Sequence, residues 1–188
     1  MKLYAYALSS AVCLCGLAVL IGRAAAQPTQ LAVEERRFLQ QLHMHGRGEI
    51  MLAQFIETKR ISNPLKDYAE RLISDHTTLE EEIRALTHAR NVPLSDEIPP
   101  ESLAVREELA PLEGPALERA YMRRALTEHR GMMSQMEEQS RNARDPGVRD
   151  LAHTAHARAR EHLALAQRWD PTLSPAPPPA VRTAPSGH

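Results

Sequence analysis

Aromatic residues are scarce in this chain: one Trp, four Tyr and two Phe among 188 residues. β-Sandwiches and barrels draw their cores from aromatic and β-branched side chains, so a sheet protein is not expected, and abundant Ala and Leu favour helices. An excess of positive charge is also missing. The formal net charge of −1 withholds the phosphate-neutralising electrostatics on which nucleic-acid binding depends, so no nucleic-acid partner is expected. No nucleophile motif or Gly-rich phosphate loop occurs, which leaves hydrolase and kinase chemistry without a foundation. Cysteine is limited to Cys13 and Cys15. Histidine, by contrast, occurs nine times, more often than all aromatics together.

The two ends of the chain read as something other than core. Lys2, the apolar run Ala5 to Ile21 and the small residues Ala24-Ala25-Ala26 have the layout of a secretory signal peptide over residues 1–26. Its alternative is an uncleaved membrane anchor, for which the run is near the lower length limit. Both cysteines lie inside this leader, and neither follows the small residue that a lipoprotein cleavage site wants. The expected mature protein is therefore exported, periplasmic, free of cysteine and without an integral membrane span. Cleavage removes Lys2 and Arg23 and no acid, so 23 basic side chains become 21 against 24 acidic ones, a formal −3. All nine histidines remain. At the other end, residues 171–188 (PTLSPAPPPAVRTAPSGH) are too Pro-rich to form a hydrogen-bonded helix, and are expected to be a disordered extension, such as a spacer toward the cell wall or outer membrane.

Residues 27–170 are left to fold as one domain. Asn63-Pro64, Gly114-Pro115 and Asp145-Pro146 each place a capping residue ahead of a proline suited to the first helical turn. An earlier helix is predicted over about 29–60, with Phe38, Leu42, Leu52 and Ile56 in helical rhythm. The first and second helices, and the third and fourth, are joined by short links and must form antiparallel hairpins. About two dozen residues, Asn91 to Gly114, separate the hairpins and can cross the length of the molecule, with a short extra helix from Glu101 to Leu109. The fold class expected is all-α, a four-helix bundle.

Each apolar stripe is interrupted by polar residues. His45 and Glu49, four apart on the first helix, share one face, and His76, His129 and His162 interrupt the other three stripes. Counted from the hairpin junctions, Glu49, His76, His129 and His162 lie 13 to 18 residues along their helices, so at ~1.5 Å per residue they occupy one layer roughly 8 Å thick. Each of the three later histidines follows an acid: Asp75, Glu128 and Glu161. Adjacent helical positions point about 100° apart, so such an acid can reach the imidazole of a neighbouring helix and orient it.

The segments GEIMLAQFIETKRISNPLKDYAERLISDH, LERAYMRRALTEH and REHLALAQ resemble the DUF4142 family of secreted bacterial proteins, over about residues 30–170. The resemblance implies a ferritin-like bundle of unestablished function, and it matches Glu49, Asp75, His76, Tyr121, His129 and His162. It also favours metal, because the wider ferritin-like group often holds iron. The di-iron pattern Glu-x-x-His is absent, however: Ile73, Leu126 and Ala159 stand three residues before the histidines. No enzymatic activity is implied. Three imidazoles and one carboxylate suit a single borderline ion such as zinc, iron or copper.

Two readings of the layer follow. In one, Glu49, His76, His129 and His162, with His45 and Asp75, hold a transition metal in metal handling or envelope stress. In the other, the chain is a non-enzymatic structural or interaction module, and the layer is a metal-free hydrogen-bond network fixing helix register. A pocket for a small ligand beside the layer is a third possibility. His45 is the most ambiguous member, since it can simply partner Glu49. Tyr121 is expected to pack with its hydroxyl bonded across the bundle. Met122, Met132, Met133 and Met136 read as core filler before they read as a soft copper site. His43, His88, His153, His156 and His188 are expected at the surface.

Overall fold

A computed structural model describes residues 30–169. The expected leader and Pro-rich tail lie outside them. The described residues form five helices and no strand: α1 (Val33–Glu57), α2 (Asn63–Ala89), α3 (Pro100–Leu109), α4 (Gly114–Asn142) and α5 (Pro146–Trp169). No described helix is long and apolar enough to cross a membrane.

The four long helices close a ring in the order α1, α2, α5, α4, and α3 lies across α1 and α4. Hydrogen bonds at the two ends set the directions. At one end Glu35, buried in the first turn of α1, accepts from Arg144 N at 2.6 Å and Asp145 N at 2.9 Å, while Arg90 after α2 pairs with Asp145 at 2.7 Å. The start of α1, the end of α2 and the α4–α5 turn therefore meet. At the other end Ser62 donates from its backbone N and its hydroxyl to Glu118 near the start of α4, at 2.7 and 2.9 Å. Neighbours in the ring are thus antiparallel, and the connection carrying α3 must run from one end to the other.

Local chemistry explains where the helices stop and start. Beyond α2, Asn91 takes φ 54°, and Val92 N bonds Thr87 O at 2.9 Å while Asn91 N bonds His88 O at 3.3 Å. This is a Schellman stop with Asn in the left-handed position. Asp145 caps α5 as expected, its Oδ1 accepting from Gly147 N at 2.8 Å and Val148 N at 3.2 Å. The other two proline signals are displaced by one residue. Asn63 and Gly114 lie inside their helices, and the preceding Ser62 and Glu113 make no side-chain cap. Pro at the second helical position is equally free of a lost hydrogen bond, because the first four N–H groups have no intrahelical partner.

Two apolar cores lie along the ring. One gathers Leu52, Ile56, Leu65, Leu72, Leu117 and Leu126, the other Phe38, Leu39, Leu42, Leu79, Ile83 and Val148. Each long helix passes from one core to the other at its histidine or histidines. The polar layer is the seam between them.

Candidate metal centre

α1, α2 and α4 bring His45, His76 and His129 together, with one nitrogen of each within 4.8 Å of the others. Their ring centroids stand 5.7 Å apart pairwise. His162 of α5 flanks this trio, 5.5 Å from His76 and 5.0 Å from His129. A point central to three nitrogens at the upper spacing lies about 2.8 Å from each, against ~2.0–2.1 Å for a zinc–imidazole bond. Inward rotation of the rings by less than about 1 Å closes that gap.

Hydrogen bonds assign the protons of two rings. Nδ1–H of His129 donates to the carbonyl of Ala125 at 2.7 Å, one turn back on α4. Nε2–H of His162 donates to Asp75 Oδ2 at 2.9 Å. Burial alone would raise the Asp75 carboxyl, but hydrogen bonds from His162 and Arg71 outweigh it and keep it low and ionised. With both outward nitrogens protonated, neutral rings present lone pairs at His129 Nε2 and His162 Nδ1. These atoms face each other at 2.9 Å. Two lone pairs at that distance need a cation between or beside them: a third proton, or a metal ion.

Burial works against the proton. It lowers His129 to about 3, aided by His45 and His162 and opposed by the Ala125 hydrogen bond. It lowers His45 to about 4, with His162 adding to the effect, and takes His76 well below the ordinary imidazole value. His162 is also lowered by burial, against the pull of Asp75. The cluster is therefore neutral near pH 7. His45 Nε2 and both nitrogens of His76 are buried without a hydrogen-bond partner. Each such atom costs ~1–3 kcal/mol if left unpaired.

Glu49, expected at the centre of the set, lies outside the trio. It is 2% exposed, its Oε2 has no partner, and burial, with Glu128 close by and Arg124 opposing, raises its carboxyl to about 8. Of the three acids that precede histidines, only Asp75 reaches an imidazole across helices. Glu128 pairs with Arg124 and Glu161 with Arg71, both on or near the surface. Three expectations need correction or refinement. His43 is fully buried rather than at the surface, with Nδ1 2.8 Å from Glu80 Oε2 and Nε2–H donating to Ser95 O at 2.6 Å. It follows Leu39 by one turn, and that spacing marks it for the interior. The hydroxyl of Tyr121 is buried with no partner instead of bonded across the ring, and so is that of Tyr68, which the stripe reading missed although it falls between Leu65 and Leu72. His45, ambiguous in sequence, makes no hydrogen bond to Glu49 and joins the trio. His88 and His153 are exposed and His156 is half-buried; His188 lies outside the described residues.

These features define an all-helical protein with a neutral, partly unpartnered imidazole cluster at the seam of two apolar cores. The chain belongs to the DUF4142 family, a domain of unknown function, which matches residues 22–169. In fold it is similar to the DUF305 fragment from Deinococcus radiodurans, at 17% identity and a TM-score of 0.67, over 74% of this chain and 97% of that one. At that identity the likeness speaks for the fold alone. No curated protein matches the chain.

Proposed function

We propose that this protein is an exported, ferritin-like four-helix bundle that binds one transition metal ion at the histidine layer. The opposed lone pairs of His129 Nε2 and His162 Nδ1 at 2.9 Å are the observation that carries the reading. A metal ion satisfies both without the third proton that burial disfavours. It also accounts for the orphaned His45 Nε2 and for one of the two orphaned nitrogens of His76. The ligand set is then His45, His76, His129 and His162. Asp75 fixes the tautomer of His162 from the next helix, and the Ala125 carbonyl does the same for His129, the arrangement that orients imidazole toward metal in many proteins.

All-imidazole ligation suits zinc, copper or iron rather than magnesium or calcium. The expected leader puts the protein in the periplasm, in keeping with metal handling or envelope stress protection. The ring of antiparallel helices with one long crossing connection supports the ferritin-like reading, without the Glu-x-x-His signature of di-iron members.

Elemental analysis of untagged protein from the periplasm tests the proposal, alongside His76→Ala and His129→Ala. One ion per chain in the wild type, lost in both variants, is the expected result. A wild type that stays metal-free after loading with zinc, copper and iron would sink the proposal, and would leave a shared proton between His129 and His162 as the structural role of the layer.

A further inference from the structure

The histidine layer is sealed unevenly. On the α2–α5 side, Leu79, Ala155, Arg158 and Ala159 close over His76 and His162 and leave a void of only about 10 Å³, scarcely room for one water. On the opposite side His45 is also a wall of a cleft of about 420 Å³, open to solvent between α1, α3 and α4. Glu49 lies beside it at the buried base, Met44 and Met132 line the walls, and the exposed Glu101 and half-exposed Glu128 stand at the rim. The close approach of α3 that completes the cleft depends on Gly48, where a Cβ would collide with the Ser102 hydroxyl.

Glu49 is the feature that the imidazole set leaves unexplained. It is 2% exposed, one turn beyond His45, and its Oε2 has no partner. A buried carboxyl oxygen without a hydrogen bond costs about 1–3 kcal/mol, so packing alone does not account for it.

We propose that the cleft is a loading site, in which Glu49 first captures an incoming divalent transition metal ion and passes it to His45 and the imidazole cluster. This rests on the metal-binding reading above. His45 is the one cluster imidazole on the cleft wall, so it is the first of the cluster that an ion leaving Glu49 reaches. Carboxylate oxygen is the harder donor and imidazole nitrogen the better match for a borderline ion. Capture releases the Glu49 carboxyl proton to solvent through the cleft, and transfer of the ion to the neutral His45 imidazole then runs downhill. The nearby Arg124 is occupied by Glu128 at 2.5 Å, which tempers its repulsion of a cation.

Stopped-flow absorbance with cobalt(II) chloride on the metal-free full chain, followed by removal with EDTA, tests this. Gln41→Trp fills the cleft from an exposed position on α1, one turn before His45, and replaces no candidate ligand. Loading and removal should both slow at least ten-fold in Gln41→Trp, with final cobalt content and affinity unchanged. Glu49→Gln should show the same paired slowing. Rates in Gln41→Trp within two-fold of wild type overturn the loading site while leaving the metal centre intact. A Glu49→Gln protein with weakened affinity but normal loading makes Glu49 a ligand of the centre and overturns its transit role. A wild type that never takes up cobalt at equilibrium removes the metal centre itself, and the loading site with it.

Discussion

His43 and His45 are two residues apart on the same helix, yet they occupy opposite situations. His43 is fully buried and both its nitrogens are engaged, one by Glu80 of α2 and one by the Ser95 carbonyl of the crossing connection. Glu80 is held in turn by Arg84, at 2.6 Å. His45 is less buried, its ring stands 5.7 Å from two other imidazoles, and its Nε2 has no partner. The first is tied into the architecture: it fastens the crossing connection to α1 and α2. The second is poised for something that the chain itself does not supply. Burial does not separate a structural histidine from a ligand; the completeness of its hydrogen bonding does.

The sharpest way to break this contrast is metal-dependent stability. Zinc at a thousand times its dissociation constant should stabilise the wild type by about 4 kcal/mol. Calorimetry with and without zinc should show this gain abolished in His76→Ala and retained in His43→Ala. A His43→Ala protein that loses the response as completely as His76→Ala would erase the distinction. Next in size is the positioning carboxylate: Asp75→Asn should weaken zinc binding ten- to a hundred-fold by titration calorimetry while keeping one ion per chain. Unchanged affinity would show that Asp75 does not set the tautomer of His162.

Without metal the two histidines should part in the other direction. His43→Leu strands Ser95 O and a carboxylate oxygen of Glu80, and should cost about 2 kcal/mol in urea unfolding. His76→Leu replaces two orphaned nitrogens with an apolar group of similar size, and should stabilise the metal-free protein by about 1 kcal/mol while destroying metal binding. Equal losses in both variants would mean that the cluster is as well satisfied as the His43 network.

The smallest effect concerns pH. His45 and His129 are lowered from 6.5 to about 4 and about 3, so unfolded chains bind the extra protons first. The stability of the metal-free protein should be undiminished by these groups above pH 6.5 and fall as pH drops toward 3. Glu49 is raised from 4.5 to about 8, so its folded form keeps a proton that the unfolded chain gives up. Its contribution should fall as pH rises from 4.5 through 8. Between pH 4.5 and 6.5 the two histidines outweigh the one carboxyl, so chemical denaturation across pH 3–9 should show a maximum at about pH 6.5, and Glu49→Gln should flatten only the alkaline side. An alkaline decline that survives in Glu49→Gln would assign it to another group.

Much of this was readable from spacing alone. The positions of His76, His129 and His162 on apolar stripes place them at mid-helix and facing inward, and the structure brings them together. The proline and asparagine signals locate the turns to within one or two residues. Even the reach of Asp75 to a neighbouring helix follows from its 100° offset from His76, although Glu128 and Glu161, with the same offset, turn to arginines instead. What spacing could not reveal was His43, because the partners that hold it come from α2 and from a loop 52 residues away in sequence. Nor could it reveal the cleft, one wall of which comes from α3 where it packs against α1 at Gly48.

By itself, then, the sequence determined the helices, their approximate ends and the presence of a polar layer, because these depend on local propensity and on a periodicity that each helix carries alone. The tertiary structure decided which nitrogens are paired, which lone pairs oppose one another and on which side the layer meets solvent. Hydrogen bonding and desolvation are properties of atoms brought together from different helices, and no single stripe contains them.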